Sequence, residues 1–196
     1  MVAHELTDAF SDALRACGGS AMVVSAHGLA DAVAEVVDQE RVVLVTPDLL
    51  GLAKSLRQKG IDARVGSSQH SLSATAVSLP SANLDEVSSI FCRAECGITG
   101  ALLGISASGT VAIDTQHGNA GLLSCLPPHH VAILREGAIQ KTLEGALETL
   151  APQPGVRDCR FVLVTGPSRT SDIEMMSVLG VHGPLKLDVI IVREDA

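Results

Sequence analysis

Residues 21–65 read AMVVSAHGLADAVAEVVDQERVVLVTPDLLGLAKSLRQKGIDARV, and the alternation in this stretch decides the fold. Ala21 to Ser25 is a short apolar run of strand length, and Leu29, Val33, Val36 and Val37 then fall on one face of a helix. Val42 to Val45 is a run of β-branched and apolar residues suited to a buried strand. Thr46-Pro47-Asp48 places a cap residue before a proline at the first helical position, opening a helix that runs to about Lys59 and ends at Gly60. Ile61 to Val65 supplies a third strand. Strands without internal polar alternation, separated by helices, predict an α/β fold with a mostly parallel sheet flanked by helices.

Working outward toward the N-terminus, Leu6, Phe10, Ala13, Leu14 and Cys17 keep helical spacing until Gly18-Gly19, which predicts a helix over about 4–17 docked on the sheet. Toward the C-terminus, Gly66 to Pro80 is Ser-rich and reads as a loop, with a short helix at Asn83 to Ser89. Two apolar runs, Leu102 to Ile105 and Thr110 to Ile113, flank Ser106 to Gly109, a tight turn in which Gly109 is free to take positive φ. Thr115 to Gly121 is a polar turn. His129 and His130 open another strand, where adjacent residues point to opposite faces. Ile139 to Leu150 reads as an amphipathic helix, and the chain returns through Pro152-Gln153-Pro154-Gly155 to a strand at Arg160 to Val164. The whole chain, 1–196, reads as one domain.

The polar segment after that strand, VTGPSRTSDIEMMSVLGVHGP from Val164 to Pro184, carries the candidate site, and Leu185 to Val192 beyond it reads as a strand. Gly166-Pro167 ends the first strand. Ser171 and Glu174 fit a capping box for a helix at about Asp172 to Leu179 with Gly180 at its C′ position. Gly166, Ser168, Arg169, Thr170 and Asp172 before such a helix are the parts of an anion site: a glycine turn, hydroxyls, a guanidinium and unpaired N–H groups. Arg169 alternatively pairs with Asp172, and Ser168 and Thr170 alternatively hold their own turn. His182 is a candidate acid/base or carboxylate ligand, and Glu174 is a second catalytic candidate besides its capping role.

Thr165-Gly166-Pro167-Ser168-Arg169-Thr170-x-Asp172-Ile173-Glu174, followed by Leu179-Gly180-Val181-His182-Gly183-Pro184, resembles the signature of the LUD domain family. Gly104 to Thr110 and Leu122 to Val131 continue the resemblance, which adds Ser108, Gly109, Thr110 and His130 to the ligand-binding candidates. The resemblance implies a fold related to ribose-phosphate isomerases, CoA-transferases and formyltetrahydrofolate cyclo-ligases. It also implies a part in oxidising L-lactate to pyruvate beside iron–sulfur partner subunits, with the clusters on those partners and no cofactor in this chain. Ala107 stands where the family usually has an acidic residue, leaving Glu95 or Asp114 to supply a carboxylate, and a basic residue common near Gly121 is missing. Members of the family often carry a longer N-terminal arm, which this sequence is expected to lack.

The totals exclude other classes. A net charge of −8 and a chain without Trp or Tyr offer neither a basic footprint nor stacking platforms, so nucleic acid is not an expected partner. No apolar run is long enough to span a membrane, and the acidic, amphipathic start is not a secretory signal, so a cytoplasmic protein is expected. Five scattered cysteines, with Cys92 and Cys96 the close pair, fit reduced thiols, and no metal site is expected. Nucleotide fingerprints and hydrolase elbows are absent from the sequence. Three functions follow: a cluster-free subunit of lactate oxidation, a free-standing enzyme on a phosphorylated or CoA-type substrate, or a non-catalytic scaffold or regulator.

Overall fold

The computed structural model describes residues 2–38, 40–65, 93–116, 119–151, 160–171, 177–179 and 183–193. The Ser-rich loop after Gly66, the helix expected at Asn83 to Ser89, and Asp172, Glu174, Gly180 and His182 lie outside these residues.

The expected βαβ run is present: β1 (Ser20–Ser25), α2 (Leu29–Val36), β2 (Val43–Val45), a 3-10 turn (Pro47–Leu49), α3 (Leu50–Gln58) and β3 (Ala63–Val65). It follows α1 (Val2–Ala16), the expected N-terminal helix. Further on come β4 (Cys96–Ile105), β5 (Thr110–Asp114), α4 (Ala120–Leu123), β6 (His129–Arg135), β7 (Ile139–Gln140), α5 (Leu143–Leu150), β8 (Phe161–Thr165), β9 (Arg169–Ser171), β10 (Ser177–Leu179) and β11 (Lys186–Arg193). Six strands lie in the order β1-β11-β6-β4-β2-β3, every adjacent pair parallel. The second half of β4 leaves this array after a register shift between Ala101 and Leu103, pairing antiparallel with β5. Strand β5 pairs antiparallel with β8, and β7 runs parallel to β4, which completes nine strands.

The pleat sorts side chains into two cores. Val131 and Ile133 join Val43, Val45, Ile98 and Ile190 beneath Val33, Leu52 and Leu56 of α2 and α3. Ala132 and Leu134, pointing the other way, join Val189 and Ile191 beneath Phe10 and Leu14 of α1. Sequence-distant strands thus meet in the middle of the sheet, where β6 and β11 are buried on both faces.

Two expectations need correction. The helix expected over Asp172 to Leu179 does not reach its expected end: Ser171 closes β9 and Ser177–Leu179 is β10, paired antiparallel with Leu179 opposite Arg169, while residues 172–176 lie outside the described residues. A window of about eight residues is too short for apolar spacing to separate helix from strand, and pairing two strands satisfies backbone groups that a two-turn helix would leave largely unbonded. The expected start of that helix, with Glu174 of the capping box, lies outside the described residues, while Ser171 itself belongs to β9. The second correction is the helix expected from Ile139. Ile139 and Gln140 pair with Gly104 and Ile105 of β4, and the helix starts only after Thr142, whose hydroxyl accepts the Gly145 N–H.

Candidate functional site

The end of α1 organises the site. Gly18 takes φ +86, its N–H bonds the Arg15 carbonyl and the Gly19 N–H bonds the Leu14 carbonyl, a left-handed glycine termination that uses up carbonyls the helix leaves free. The Cys17 carbonyl is taken by Arg169, whose Nη2 donates across 2.8 Å. A cation at a helix C-terminus is also favoured by the negative end of the dipole. Arg169 therefore clamps the loop after β8 onto α1, and its guanidinium is exposed at the same time.

Two glycines allow the close approach. Gly109 closes the β4–β5 turn at φ +63, and a Cβ there would overlap the Leu14 backbone nitrogen. Gly166, at φ +70, would place a Cβ 2.5 Å from the Cys17 carbonyl oxygen. Both conformations and both clearances exclude other residues. The turn and the loop then meet through hydroxyls: Ser108 Oγ lies 2.6 Å from Thr110 Oγ1, which lies 2.7 Å from Thr165 Oγ1. Strand pairing sets this contact, since Thr110 is the register partner of Thr165. Ser168 is fixed at its backbone, its N–H donating to the Pro184 carbonyl at 2.8 Å.

Of the expected ligand-binding residues, Ser108, Gly109, Thr110, Gly166, Ser168 and Arg169 thus gather at one rim around the end of α1. Thr170 follows in β9. Hydroxyls and an exposed guanidinium at that rim are donors suited to a carboxylate. His130 stands apart. It is fully buried on the α1 face of β6, with Nε2 2.9 Å from Thr99 Oγ1 and Nδ1 unpartnered among the described residues. Burial, with the neighbouring His129 second, pulls its pKa down to about 3, so the ring is neutral at physiological pH. The carboxylates offered as substitutes at Ala107 are used elsewhere. Glu95 precedes the far end of β4 and accepts the Arg41 N–H, and Asp114 ends β5 away from the turn and accepts the Gln116 N–H.

The opposite face of β6 holds a polar cluster that the sequence reading missed. His129 Nε2 is 2.7 Å from Asp188 Oδ2 and its Nδ1 is 3.2 Å from Glu40 Oε1. Asp188 also receives Ser20 Oγ and, at 2.9 Å, Lys186 Nζ. Burial alone would raise the Asp188 carboxyl, but hydrogen bonds from His129, Ser20 and Lys186 outweigh it and hold it at about 2. The signal available in the sequence was a lone aspartate inside the apolar run Leu187 to Val192. The cluster joins the starts of β1, β6 and β11 and the approach to β2. Cys96, register partner of His129, is fully buried with its thiol pushed up, chiefly by burial, which takes half of the Cys92/Cys96 pair out of ligand reach. Among the described residues no cluster of three His, Cys, Asp or Glu side chains is arranged to hold a metal ion.

Comparison with known proteins places this architecture. The chain is 38% identical over 102 residues to "Lactate utilization protein C" of Deinococcus radiodurans, covering 51% of this chain and 47% of that one. Against the protein of the same name from Macrococcus caseolyticus it is 36% identical over 106 residues, 52% and 46% of the two chains. An uncharacterized Escherichia coli protein is 33% identical over 105 residues, again 52% of this chain and 46% of the other. The chain spans about half the length of the curated relatives it matches. A crystal structure described as a duf162 family protein from Deinococcus radiodurans superposes with a TM-score of 0.66 at 24% identity, covering 97% of this chain and 98% of that one, which shows the fold. The family model of the LUD domain matches residues 7–192, and the chain belongs to the LUD domain family.

Proposed function

We propose that the chain is the cluster-free component of a cytoplasmic system that oxidises L-lactate to pyruvate, holding a small carboxylate at the rim formed by Ser108, Thr110, Thr165 and Arg169. The observation that carries this is the meeting of two family-like blocks, 55 residues apart at Thr110 and Thr165, in one hydroxyl chain beside an exposed guanidinium. The names of the relatives point to lactate utilization, and oxidation of L-lactate to pyruvate is the reading that the family resemblance adds. Oxidising the lactate carbinol to the keto acid gives up two electrons and two protons; the electrons leave to iron–sulfur partner proteins and the protons to solvent, while this chain binds and orients the acid. The buried, neutral His130 and the absence of any carboxylate at Ala107 fit a binding role better than proton abstraction at this rim. A cytoplasmic setting is consistent with helices that are all too short or too polar to cross a membrane among the described residues.

The test combines a gene deletion with two variants. Deletion should abolish growth on L-lactate and the wild-type gene should restore it. Ser108→Ala and Thr165→Val should restore it poorly while folding normally, and native purification should recover iron–sulfur proteins. Unimpaired growth on lactate after deletion, with no iron–sulfur protein recovered, would rule the proposal out. A melting-temperature rise with phosphate esters or CoA thioesters and none with lactate or pyruvate would favour the free-standing enzyme instead.

A further inference from the structure

The parallel sheet ends in two different ways. At one end β3 is three residues long, with Arg64 in its middle ion-paired to Asp62 at 2.7 Å, a short and charged edge that discourages further pairing. At the other end β1 runs for six residues, Ser20-Ala21-Met22-Val23-Val24-Ser25, with no charge, proline, glycine or bulge. Its register with β11 is unbroken from Ser20 to Ser25, and among the described residues it is hydrogen-bonded to β11 alone. Met22 is 36% and Val23 40% exposed, so apolar surface remains open on both faces beside that edge. Among the described residues none of the devices that keep an edge strand single is present at β1.

We propose that this edge pairs with β1 of a second copy of the chain, extending the sheet across a two-fold axis. Charge argues for a copy meeting here. The chain carries −8 overall, so like-charged molecules approach best through an uncharged surface, and no Asp, Glu, Lys or Arg occurs from Ala16 to Ala30. Symmetry sets the register. A two-fold axis perpendicular to a continuous sheet must pass through a residue facing its own copy, because opposed side chains share a face. Centred on Val23, the pairing sets Val23 against Val23, Met22 against Val24 and Ala21 against Ser25, so the middle of the seam is apolar and holds a β-branched pair at its centre. The strand β8 is also an edge, but it ends at Thr165, so a copy seated there would crowd the rim described above. Pairing at β1 leaves that rim open in both copies.

Sedimentation analysis of the full chain tests this, with Val23→Lys to place like charges across the seam and Val23→Thr to keep a β-branched residue. Wild type and Val23→Thr are expected to be dimers, and Val23→Lys a monomer with an unchanged circular dichroism spectrum. Val23→Cys supplies a readout that does not depend on tolerance of lysine. Opposed residues of an antiparallel pair sit about 4.5–5.5 Å apart at Cα, within disulfide reach, so mild oxidation should give a dimer cross-linked at position 23 by peptide mass. A wild type that stays monomeric at every concentration overturns the proposal. So does a dimer that survives Val23→Lys without cross-linking at position 23, or one that dissociates on Leu163→Lys in β8.

Discussion

Arg169 shows how a residue chosen for binding also holds the fold. Its bond to the Cys17 carbonyl caps α1, so Arg169→Ala should cost about 1 kcal/mol and lower the melting temperature by roughly 2–4 °C. Thermal unfolding measures this, and an unchanged Tm would mean the clamp contributes nothing in solution. His130 makes a separate prediction. Folding holds its pKa near 3, below the ordinary 6.5, so the unfolded chain binds the extra proton. Its contribution is complete above pH 6.5 and is lost as pH falls toward 3, at about 1.4 kcal/mol per pH unit. Denaturant unfolding between pH 7 and 4 should therefore steepen through His130, and His130→Gln should flatten that slope. Asp188 acts lower: its carboxyl is held at about 2, so the stability it lends is present above its ordinary 3.8 and is lost only below that. His129 was hard to value from sequence, because its partners Glu40 and Asp188 lie far away along the chain. Its loss should be severe. His129→Ala leaves Glu40 and Asp188 without the imidazole between them, and a cost of about 3 kcal/mol is expected, visible as a lower urea midpoint.

Among the elements, those with a clear period and a terminator were legible. α1 shows its apolar stripe and its glycine stop, and β1, β2, β3 and β11 are short, mostly apolar runs; each matches the structure to about two residues, whereas β4 starts at Cys96, well before the run expected from Leu102. The elements misread were short ones decided by distant pairing. Ile139 looks helical until β4 claims it, and Ser177 to Leu179 look helical until β10 meets β9. The rim itself was half legible. The glycines and hydroxyls are visible in sequence, but that they close on α1 depends on the β5–β8 register. This gives a prediction at the level of the contact between elements. Gly109→Ala must strain a left-handed residue and drive a methyl into α1, at about 2–4 kcal/mol. Phe10→Ala, which empties the core under the same helix, should cost about 3–5 kcal/mol. The two should be less than additive, since each loosens α1, and a double-mutant comparison by chemical unfolding reads the coupling.

For the molecule as a whole, β11 sits between β1 and β6, so a C-terminal strand lies inside a sheet begun at the N-terminus. Ser20 and Asp188 touch across a sequence separation of 168 residues. Such non-local pairing makes folding slow, because the loop must close before its contacts reward it. It also sets an order during synthesis. Until residues 186–193 leave the ribosome, β1 and β6 each lack the neighbour they have in the native sheet, and the nascent chain holds two sticky edges at once. A chain ended after Pro184 should accumulate as aggregate, and a separately supplied peptide of residues 183–196 should rescue part of it into soluble form. Residues 186–193, made long after β1, thus decide whether the first strand of the sheet has anywhere to go.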